Sequence, residues 1–373
     1  MLSSNGEQSV QERARRYSGI KYRLALFDTV YLLVLLFVFQ WLGFSSLLAA
    51  RANSWSGTSW IALIWYLGVA FGGYCILTFP LSFYGSFILE HSFKLSTQKF
   101  NDWLKDQGKS LIISFVILVI LMQALFLIVN NFQENWWIYV SIFWILFSVV
   151  LTKVAPIIII PLFFKSRKMD DAVLKTRILT LAGRMGVKLV DVFEIDFSKK
   201  TVKANAAFTG MGSTRRVLLA DTLRNKYTPE EIEVILAHEF AHYKMWHLLK
   251  LIVVNGLATV ASFYLVAVTS FGVLEFFGLR RLSDMAALPV IFMYLTILGI
   301  FMQPFGNWIS RCFERSADRM ALSVTQTPDA FVSMMEKLSD QNLSERKPSW
   351  FIKMYFYDHP PIDERIAVAK KSK

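Results

Sequence analysis

Long apolar runs, separated by polar segments, dominate the pattern of this chain. Six runs are each long enough to cross the roughly 30 Å hydrocarbon core of a bilayer as a helix. They cover residues 24–48, 59–82, 110–129, 137–162, 248–277 and 288–309. One long polar stretch lies between the fourth run and the fifth. The pattern therefore predicts an α-helical polytopic membrane protein with about six transmembrane helices, four before this stretch and two after it.

The long polar stretch carries patterns of its own. Apolar residues recur at helical spacing over residues 170–185, and Gly186 follows as a stop signal. Alternating or extended segments at 190–195, 201–210 and 217–220 indicate β-structure. We expect a small α+β domain in two parts. The predicted organisation is a basic tail (1–23), four helices (24–164), the first part of the domain (165–247), two helices (248–311) and its second part (312–373).

Composition supports the membrane assignment. Hydrophobic residues make up 54% of the 373 residues, 32 of them are Phe, and the mean hydropathy is +0.42. Soluble domains are usually about 45–50% apolar. The formal net charge is +12, but no nucleic-acid-binding motif accompanies it, so we assign the charge to anionic lipid headgroups. The expected partner is the lipid bilayer, and no nucleic acid is expected.

Lys and Arg are distributed unequally among the polar segments. They are frequent before the first run, after the second, in residues 165–247 and at the C-terminus. The loop after the first run has one, Arg51, and the loop after the third has none, while Arg280 and Arg281 after the fifth are a minor exception. The positive-inside rule therefore predicts that both termini and the α+β domain face the cytoplasm.

The cysteines and the N-terminus exclude other classes. Cys75 and Cys312 fall in or beside apolar runs, so we expect neither a disulfide framework nor a Cys-rich metal site. Residues 1–23 are polar and basic without a short apolar core, so a cleaved signal peptide is not expected.

The candidate chemistry lies in residues 238–242, which read His-Glu-Phe-Ala-His, an instance of H-E-x-x-H. Two histidines at this spacing share one face of a helix and can bind one zinc ion, while the glutamate can deprotonate a water on it. Thr228, Pro229 and Glu231 form a capping-box sequence, so the motif lies on a helix with a start signal. A chance pentapeptide on an ordinary helix is the alternative.

A downstream pair of carboxylates can complete such a site, which needs a third protein ligand and an open position for water. His247 follows His242 by five residues, on a different helical face, and is a poor third ligand. Glu314 and Asp318 are four residues apart and share a face. Glu314 could bind zinc while Asp318 accepts a hydrogen bond from a ligand histidine. The alternative is a solvated charge face with the neighbouring arginines.

Four segments carry a resemblance to a known family. They are His-Glu-Phe-Ala-His, Glu-Arg-Ser-Ala-Asp at 314–318, Asn-Ala-Ala-Phe-Thr-Gly at 205–210 and His-Pro-Pro-Ile-Asp-Glu-Arg at 359–365. In their order along the sequence, and over most of the chain, they resemble the type I CaaX prenyl proteases, integral-membrane zinc metalloproteases with bacterial heat-shock relatives. Residues 215–223 also resemble this family, and Pro-Leu-Ser-Phe-Tyr at 80–84 resembles its prenyl-protease branch.

The resemblance implies a role for each matching residue. His238, His242 and Glu314 would bind one catalytic Zn²⁺, Glu239 would be general base and proton donor, and Asp318 would orient a ligand histidine. Asn205, Ala206 and Ala207 would hold the substrate backbone by strand addition, His359 would stabilise the oxyanion, and Arg365 would support the site. It further implies a zincin-like catalytic domain that acts on peptide or protein substrates.

Some features depart from the family pattern. Eukaryotic prenyl proteases of this family have seven spans, whereas six are predicted here. Ala241 and Tyr243 stand where Gly and Trp are frequent, and neither change removes a ligand. The six-span form fits a bacterial member. The expected location is a bacterial inner membrane or the endoplasmic reticulum.

The expected function is a membrane-embedded zinc endopeptidase that acts on prenylated CaaX peptides or on membrane proteins in quality control. A site-2-type intramembrane protease would place H-E-x-x-H inside an apolar run and pair it with an L-D-G motif, and the chain has neither. A non-catalytic transporter or scaffold with a relic metal site is the other alternative. Transporters carry mid-span ionisable residues or repeats, whereas Asp28 lies near the end of its run and the two halves do not match.

Overall fold

Six long helices form the membrane part of the protein. The computed structural model describes residues 2–209 and 215–372, with side chains from residue 10 onward. Within these residues the helices long and apolar enough to span a membrane are Val10–Trp41, Ser59–Ser92, Phe100–Asn131, Trp136–Phe163, His247–Phe276 and Met285–Thr325. The prediction of about six transmembrane helices is confirmed. Gly210, the last residue of the 205–210 motif, lies outside the described residues.

The first apolar run is not a single helix. α1 (Leu2–Trp41) ends at a turn in which Gly43 has φ +73°, and α2 (Phe44–Trp55) follows. Glycine adopts this left-handed backbone without the steric cost that a Cβ imposes. The expected span over residues 24–48 is therefore wrong at its C-terminal end. α1 also begins well before residue 24, so the basic N-terminal residues continue the first span as helix.

Two spans continue through a π-helical turn into a short helix. The first of them consists of α3 (Ser59–Phe83), the turn Tyr84–Ile88 and α4 (Leu89–Ser92). The single helix α5 (Phe100–Asn131) follows. The second consists of α6 (Trp136–Val154), the turn Ala155–Ile159 and α7 (Ile160–Phe163). The second turn contains Pro156, which has no N–H to donate and so interrupts the α-helical ladder. From the sequence alone, Pro156 and Pro161 near the end of the fourth apolar run predict that the helix kinks or ends there.

A four-stranded sheet begins the α+β domain. Its elements are β1 (Ser166–Lys168), α8 (Ala172–Arg184), β2 (Asp191–Ile195), β3 (Ala206–Thr209) and β4 (Arg216–Ala220). The strand order is β1-β2-β4-β3, with β2 and β4 parallel and the outer pairs antiparallel. β3 is thus an edge strand, and among the described residues of the sheet it pairs with β4 alone. An edge strand presents unpaired N–H and C=O groups to an added strand.

Helices complete the chain and join its two parts. They are α9 (Asp221–Arg224), α10 (Pro229–Lys244), α11 (His247–Phe276), α12 (Leu288–Thr325), α13 (Pro328–Asn342), α14 (Trp350–Phe356) and α15 (Ile362–Lys371). α12 has 38 residues, and at 1.5 Å per residue it is about 57 Å long. It therefore crosses the bilayer and still reaches into the α+β domain.

Small buried side chains bring α10 and α12 together. Ala237 and Ala241 on α10, and Ala317 and Ala321 on α12, are each 0% exposed. All four belong to the core of the α+β domain. Small residues at a helix interface allow the two backbones to approach closely. This packing sets the H-E-x-x-H helix against the helix that carries Glu314.

Candidate metal centre

The helix that carries H-E-x-x-H begins where the sequence predicts. Oγ1 of Thr228 accepts a hydrogen bond from the backbone N–H of Glu231 (3.3 Å), and the Glu231 carboxylate accepts one from the N–H of Thr228 (2.8 Å). The predicted capping box is confirmed. It fixes the first turn of α10, and the helical period then places His238 and His242 on one face.

His238, His242 and Glu314 bring their ligand atoms together. The Nε2 atoms of the two histidines are 3.0 Å apart. Glu314 places Oε2 3.1 Å from Nε2 of His238 and Oε1 3.1 Å from Nε2 of His242. Among the residues that the structure describes, these three form the group of His, Cys, Asp or Glu side chains whose ligand atoms converge.

This arrangement fits a tetrahedral zinc ion. Zinc bonds of about 2.0–2.1 Å at a tetrahedral angle place neighbouring ligand atoms about 3.3 Å apart, close to the separations found here. Oε2 of Glu314 is buried and accepts no hydrogen bond from the described residues. A cation at this point would satisfy it. Two imidazoles and one carboxylate are also the ligand set of hydrolytic zinc sites that keep one position open for water.

Asp318 and Arg365 form a buried ion pair behind His238. Oδ1 of Asp318 is 2.9 Å from Nδ1 of His238, so it can accept the ring N–H while Nε2 faces the converging group. Arg365 donates to both carboxylate oxygens of Asp318, at 2.6 and 2.8 Å. Because Glu314 and Asp318 are only 5% and 2% exposed, the alternative of a solvated charge face is wrong.

His359 approaches this group from the loop after α14. Its Nε2 is 3.4 Å from Oε1 of Glu314, and its Nδ1 donates to the Asp358 carboxylate at 2.8 Å. The side chain is 52% exposed, so it borders open space beside the ligand set. An N–H donor in this position is suited to stabilise an oxyanion.

The surrounding charges shift the pKa values of the titratable groups. Burial lowers the pKa of His238, but the neighbouring carboxylates of Asp318 and Glu314 outweigh burial and raise it to about 9. Burial raises the pKa of Glu239, and the two neighbouring histidines offset only part of this effect. A carboxylate whose pKa is moved toward neutrality suits a general base. Burial lowers the pKa of His359, but its carboxylate neighbours outweigh burial and raise it, which favours the imidazolium with a proton on Nε2.

Three polar side chains of α12 fix the loop that carries His359. Gln303, Asn307 and Arg311 recur every four residues on one face of the helix. They donate to backbone carbonyls in and just after α14, those of Lys353, Met354, Tyr355 and Tyr357. Carbonyls at a helix C-terminus have no partner within the helix. These hydrogen bonds therefore fix the position at which the loop that carries His359 leaves α14.

Replacing Arg311 with Met is expected to lower kcat for peptide cleavage about 10–100-fold, because small misplacements of a reacting group cost this much. Metal content should not change. Gln303→Leu is the comparison on the same helix face. A smaller loss is expected from it, because Asn307 also donates to the Tyr355 carbonyl. Steady-state kinetics and zinc analysis in detergent measure both effects. An Arg311→Met variant with the parent's kcat, or without metal, would contradict this positioning role.

The residues predicted to bind substrate lie at the open edge of the sheet. Asn205 directly precedes β3, and Ala206 and Ala207 are the first residues of β3, paired with β4. The ring of Phe208 packs on Phe240 of α10, with 5.4 Å between centroids. The edge strand therefore lies beside the H-E-x-x-H helix. Substrate binding by these residues stays a prediction.

The sequence-based predictions missed one histidine contact. From the sequence alone, the H-E-x-x-H helix is predicted to run to about residue 247, where the fifth apolar run begins. In the structure α10 already ends at Lys244, and Trp246, with φ +59°, precedes α11. His247 does not belong to the converging group, but its Nδ1 lies 3.1 Å from Nδ1 of His242. Helical spacing could not reveal this contact, because the chain changes direction between the two residues.

Two family descriptions match successive parts of the chain. Residues 2–165 match "CAAX prenyl protease N-terminal, five membrane helices", and residues 168–373 match "Peptidase family M48". Within the first match the structure has four candidate spans and the shorter helix α2.

Named relatives resemble the chain over most of its length. "Uncharacterized metalloprotease YhfN" of Bacillus subtilis is 32% identical over 79% of this chain and 70% of its own length. "CAAX prenyl protease 1" of Saccharomyces cerevisiae is 29% identical, covering 98% of this chain and 87% of its own. "CAAX prenyl protease 1 homolog" of Homo sapiens is 25% identical, covering 79% and 70%.

A solved structure supports the same relationship. "Crystal Structure of S. mikatae Ste24p" superimposes with a TM-score of 0.87 and 25% identity, covering 97% of this chain and 89% of that one. The fold predicted from the sequence, a helical membrane protein with a small α+β domain, is confirmed. From the site geometry and these matches, the chain belongs to peptidase family M48 and is a membrane-embedded metalloendopeptidase.

Proposed function

We propose that the chain is a zinc endopeptidase that hydrolyses peptide bonds in CaaX-type C-terminal segments bearing a prenyl group. The convergence of His238, His242 and Glu314 around a buried carboxylate oxygen without a donor is the observation that carries the zinc assignment. The names of the yeast and human relatives, and the 98% coverage by the yeast protein, support the CaaX assignment.

Each group near the ligand set has a task in the proposed reaction. Zinc held by the three ligands would polarise the scissile carbonyl and lower the pKa of water at the open position. Glu239 takes the proton of the attacking water and delivers it to the leaving nitrogen, and its raised pKa suits both steps. His359, whose Nδ1 donates to Asp358, donates its Nε2–H to the oxygen that gains negative charge.

Asp318 and Arg365 maintain this geometry in the proposal. Asp318 accepts the Nδ1–H of His238 and so keeps Nε2 directed at the ligand set. Arg365 holds Asp318 through two hydrogen bonds and compensates its buried charge. A buried carboxylate without this partner would be costly.

The open edge of β3 is the proposed binding site for the substrate backbone. An extended peptide can add to such an edge through main-chain hydrogen bonds that do not depend on its side chains. Asn205, Ala206 and Ala207 would supply these groups, and the packing of Phe208 on α10 would place the peptide beside Glu239.

The proposed active site faces the cytoplasm. The N-terminal end of α1 contacts the α+β domain, where Gln11 donates to Asp340 at 3.2 Å. The N-terminus and the α+β domain therefore lie at the same end of the helices. The Lys and Arg distribution supports a cytoplasmic location of this end, at a bacterial inner membrane or an endoplasmic reticulum membrane.

The other functional classes have less support. α10, which carries H-E-x-x-H, is not among the candidate spans, whereas a site-2-type protease requires the motif inside one. A transporter with a relic metal site would not need the hydrogen-bonded pair of Asp358 and His359 beside the ligands. Quality control of membrane proteins by the same active site remains the second candidate function, since YhfN is named only as a metalloprotease.

A farnesylated CaaX peptide is expected to be cleaved with a kcat/KM at least about tenfold higher than its unlipidated form, because each buried CH₂ of the lipid contributes about 0.8 kcal/mol of binding. Both peptides are compared in detergent with zinc-loaded protein, and Glu239→Gln serves as the inactive control. Equal kcat/KM values would contradict prenyl selectivity and favour the quality-control function.

A further inference from the structure

His247 is a buried histidine that the proposed reaction does not use. It is 1% exposed at the first position of α11. Its Nδ1 lies 3.1 Å from Nδ1 of His242, and its Nε2 lies 3.2 Å from Oγ of Ser316 on α12. Its ring stacks on Phe313, with 4.6 Å between centroids and 11° between planes. Both ring nitrogens and one ring face therefore have defined partners.

The direction of each hydrogen bond follows from the ligand geometry. Nε2 of His242 faces the converging group, so its lone pair is free for a metal and the ring proton is on Nδ1. Nδ1–H of His242 then donates to Nδ1 of His247. The neutral ring of His247 consequently carries its proton on Nε2 and donates it to Oγ of Ser316. The Ser316 hydroxyl donates in turn to the carbonyl of Phe313, at 2.7 Å.

The two ligand histidines therefore have different supports. His238 donates to a carboxylate, Asp318, whose charge Arg365 compensates. His242 donates to a neutral relay that starts on α11 and ends on α12, the helix that also carries Glu314. Ligand histidines are commonly oriented in this way by a hydrogen-bond acceptor on the second ring nitrogen. Here a histidine takes the place of the usual carboxylate or carbonyl.

We propose that His247 is the positioning residue for the ligand His242, holding it as the Nδ1–H tautomer through the relay His242–His247–Ser316. This inference rests on the proposed zinc site. Its consequence is that metal affinity depends on a residue that is not a ligand. Loss of such a partner lowers metal affinity about 10–100-fold.

The test compares His247→Phe with His247→Asn in the full chain. Phe keeps a ring that can stack on Phe313 but accepts no hydrogen bond, whereas Asn offers an oxygen near the position of Nδ1. Zinc affinity is measured by competition with a chromogenic chelator, and thermal unfolding of the apo forms is recorded beside it. His91→Phe is the matched control, because His91 contacts the backbone carbonyls of Phe87 and Gln98 and lies outside the site.

The expected result is a 10–100-fold weaker zinc affinity for His247→Phe, a smaller loss for His247→Asn, and the parent's affinity for His91→Phe. Equal zinc affinity in His247→Phe and the parent would overturn the proposal, and so would equal losses in the two His247 variants. A parent protein that binds no zinc would instead contradict the proposed function. If His247→Phe does not fold, Ser316→Ala replaces it, and unchanged zinc affinity in that variant would also overturn the relay.

Discussion

Glu239→Gln is expected to reduce peptide cleavage about 10³-fold or more, while zinc content and thermal stability stay near those of the parent. The substitution preserves the shape of the side chain but removes the carboxylate that takes the proton from water. General acid–base catalysis contributes about 10²–10⁴-fold, and Glu239 serves twice, for the water and for the leaving nitrogen. The rate is measured with a fluorogenic peptide in detergent, and zinc is measured on the same sample.

Glu230→Gln is the matched control for this variant. Glu230 lies in the first turn of α10, where it pairs with Arg177 at 2.9 Å with both side chains partly exposed. Partly exposed pairs of this kind contribute little to stability, so the parent's cleavage rate is expected. Cleavage by Glu239→Gln at the parent rate would show that another group is the base.

Glu314→Gln is expected to lose both zinc and activity. The neutral amide oxygen is a much weaker ligand than a carboxylate, and two histidines alone leave the ion with too few protein ligands. We expect less than about one tenth of the parent's zinc after equilibration with a mild chelator. Loss of a hydrogen-bond partner of a ligand lowers metal affinity about 10–100-fold, and loss of a ligand itself lowers it further. Metal analysis and cleavage assays on the reconstituted protein measure the two losses together.

Glu336→Gln, in the middle of α13, controls for the loss of a negative charge. Glu336 is exposed, so this variant should keep the parent's zinc and rate. A Glu314→Gln protein that retained one zinc per chain through chelation would exclude Glu314 as the third ligand.

Local patterns were sufficient to predict much of the site. The i,i+4 spacing of His238 and His242, and of Glu314 and Asp318, depends only on helix geometry. Thr228 and Glu231 lie in the same first turn, so their sequence spacing alone predicts the cap that the structure shows. The length of each apolar run likewise predicts a membrane span, because the thickness of the bilayer sets the length that a spanning helix needs. The roles of Asn205, His359 and Arg365 came from the family resemblance rather than from spacing.

Contacts between distant elements could not be predicted in this way. Residues 307 and 311 look like ordinary polar residues at the end of an apolar run, and only the fold shows which carbonyls they meet. The contact of His247 with His242 depends on the break at Trp246. The turn at Gly43 interrupts an apolar run whose composition is continuous, so hydropathy alone does not reveal it.

Zinc content and peptide cleavage, measured on one reconstituted sample, test the central claim most directly. Zinc is removed with a chelator and returned in steps, and cleavage is followed at each step. We expect cleavage to fall with the zinc content and to recover in full when one zinc ion per chain has been restored. Undiminished cleavage by the zinc-free protein would contradict the account.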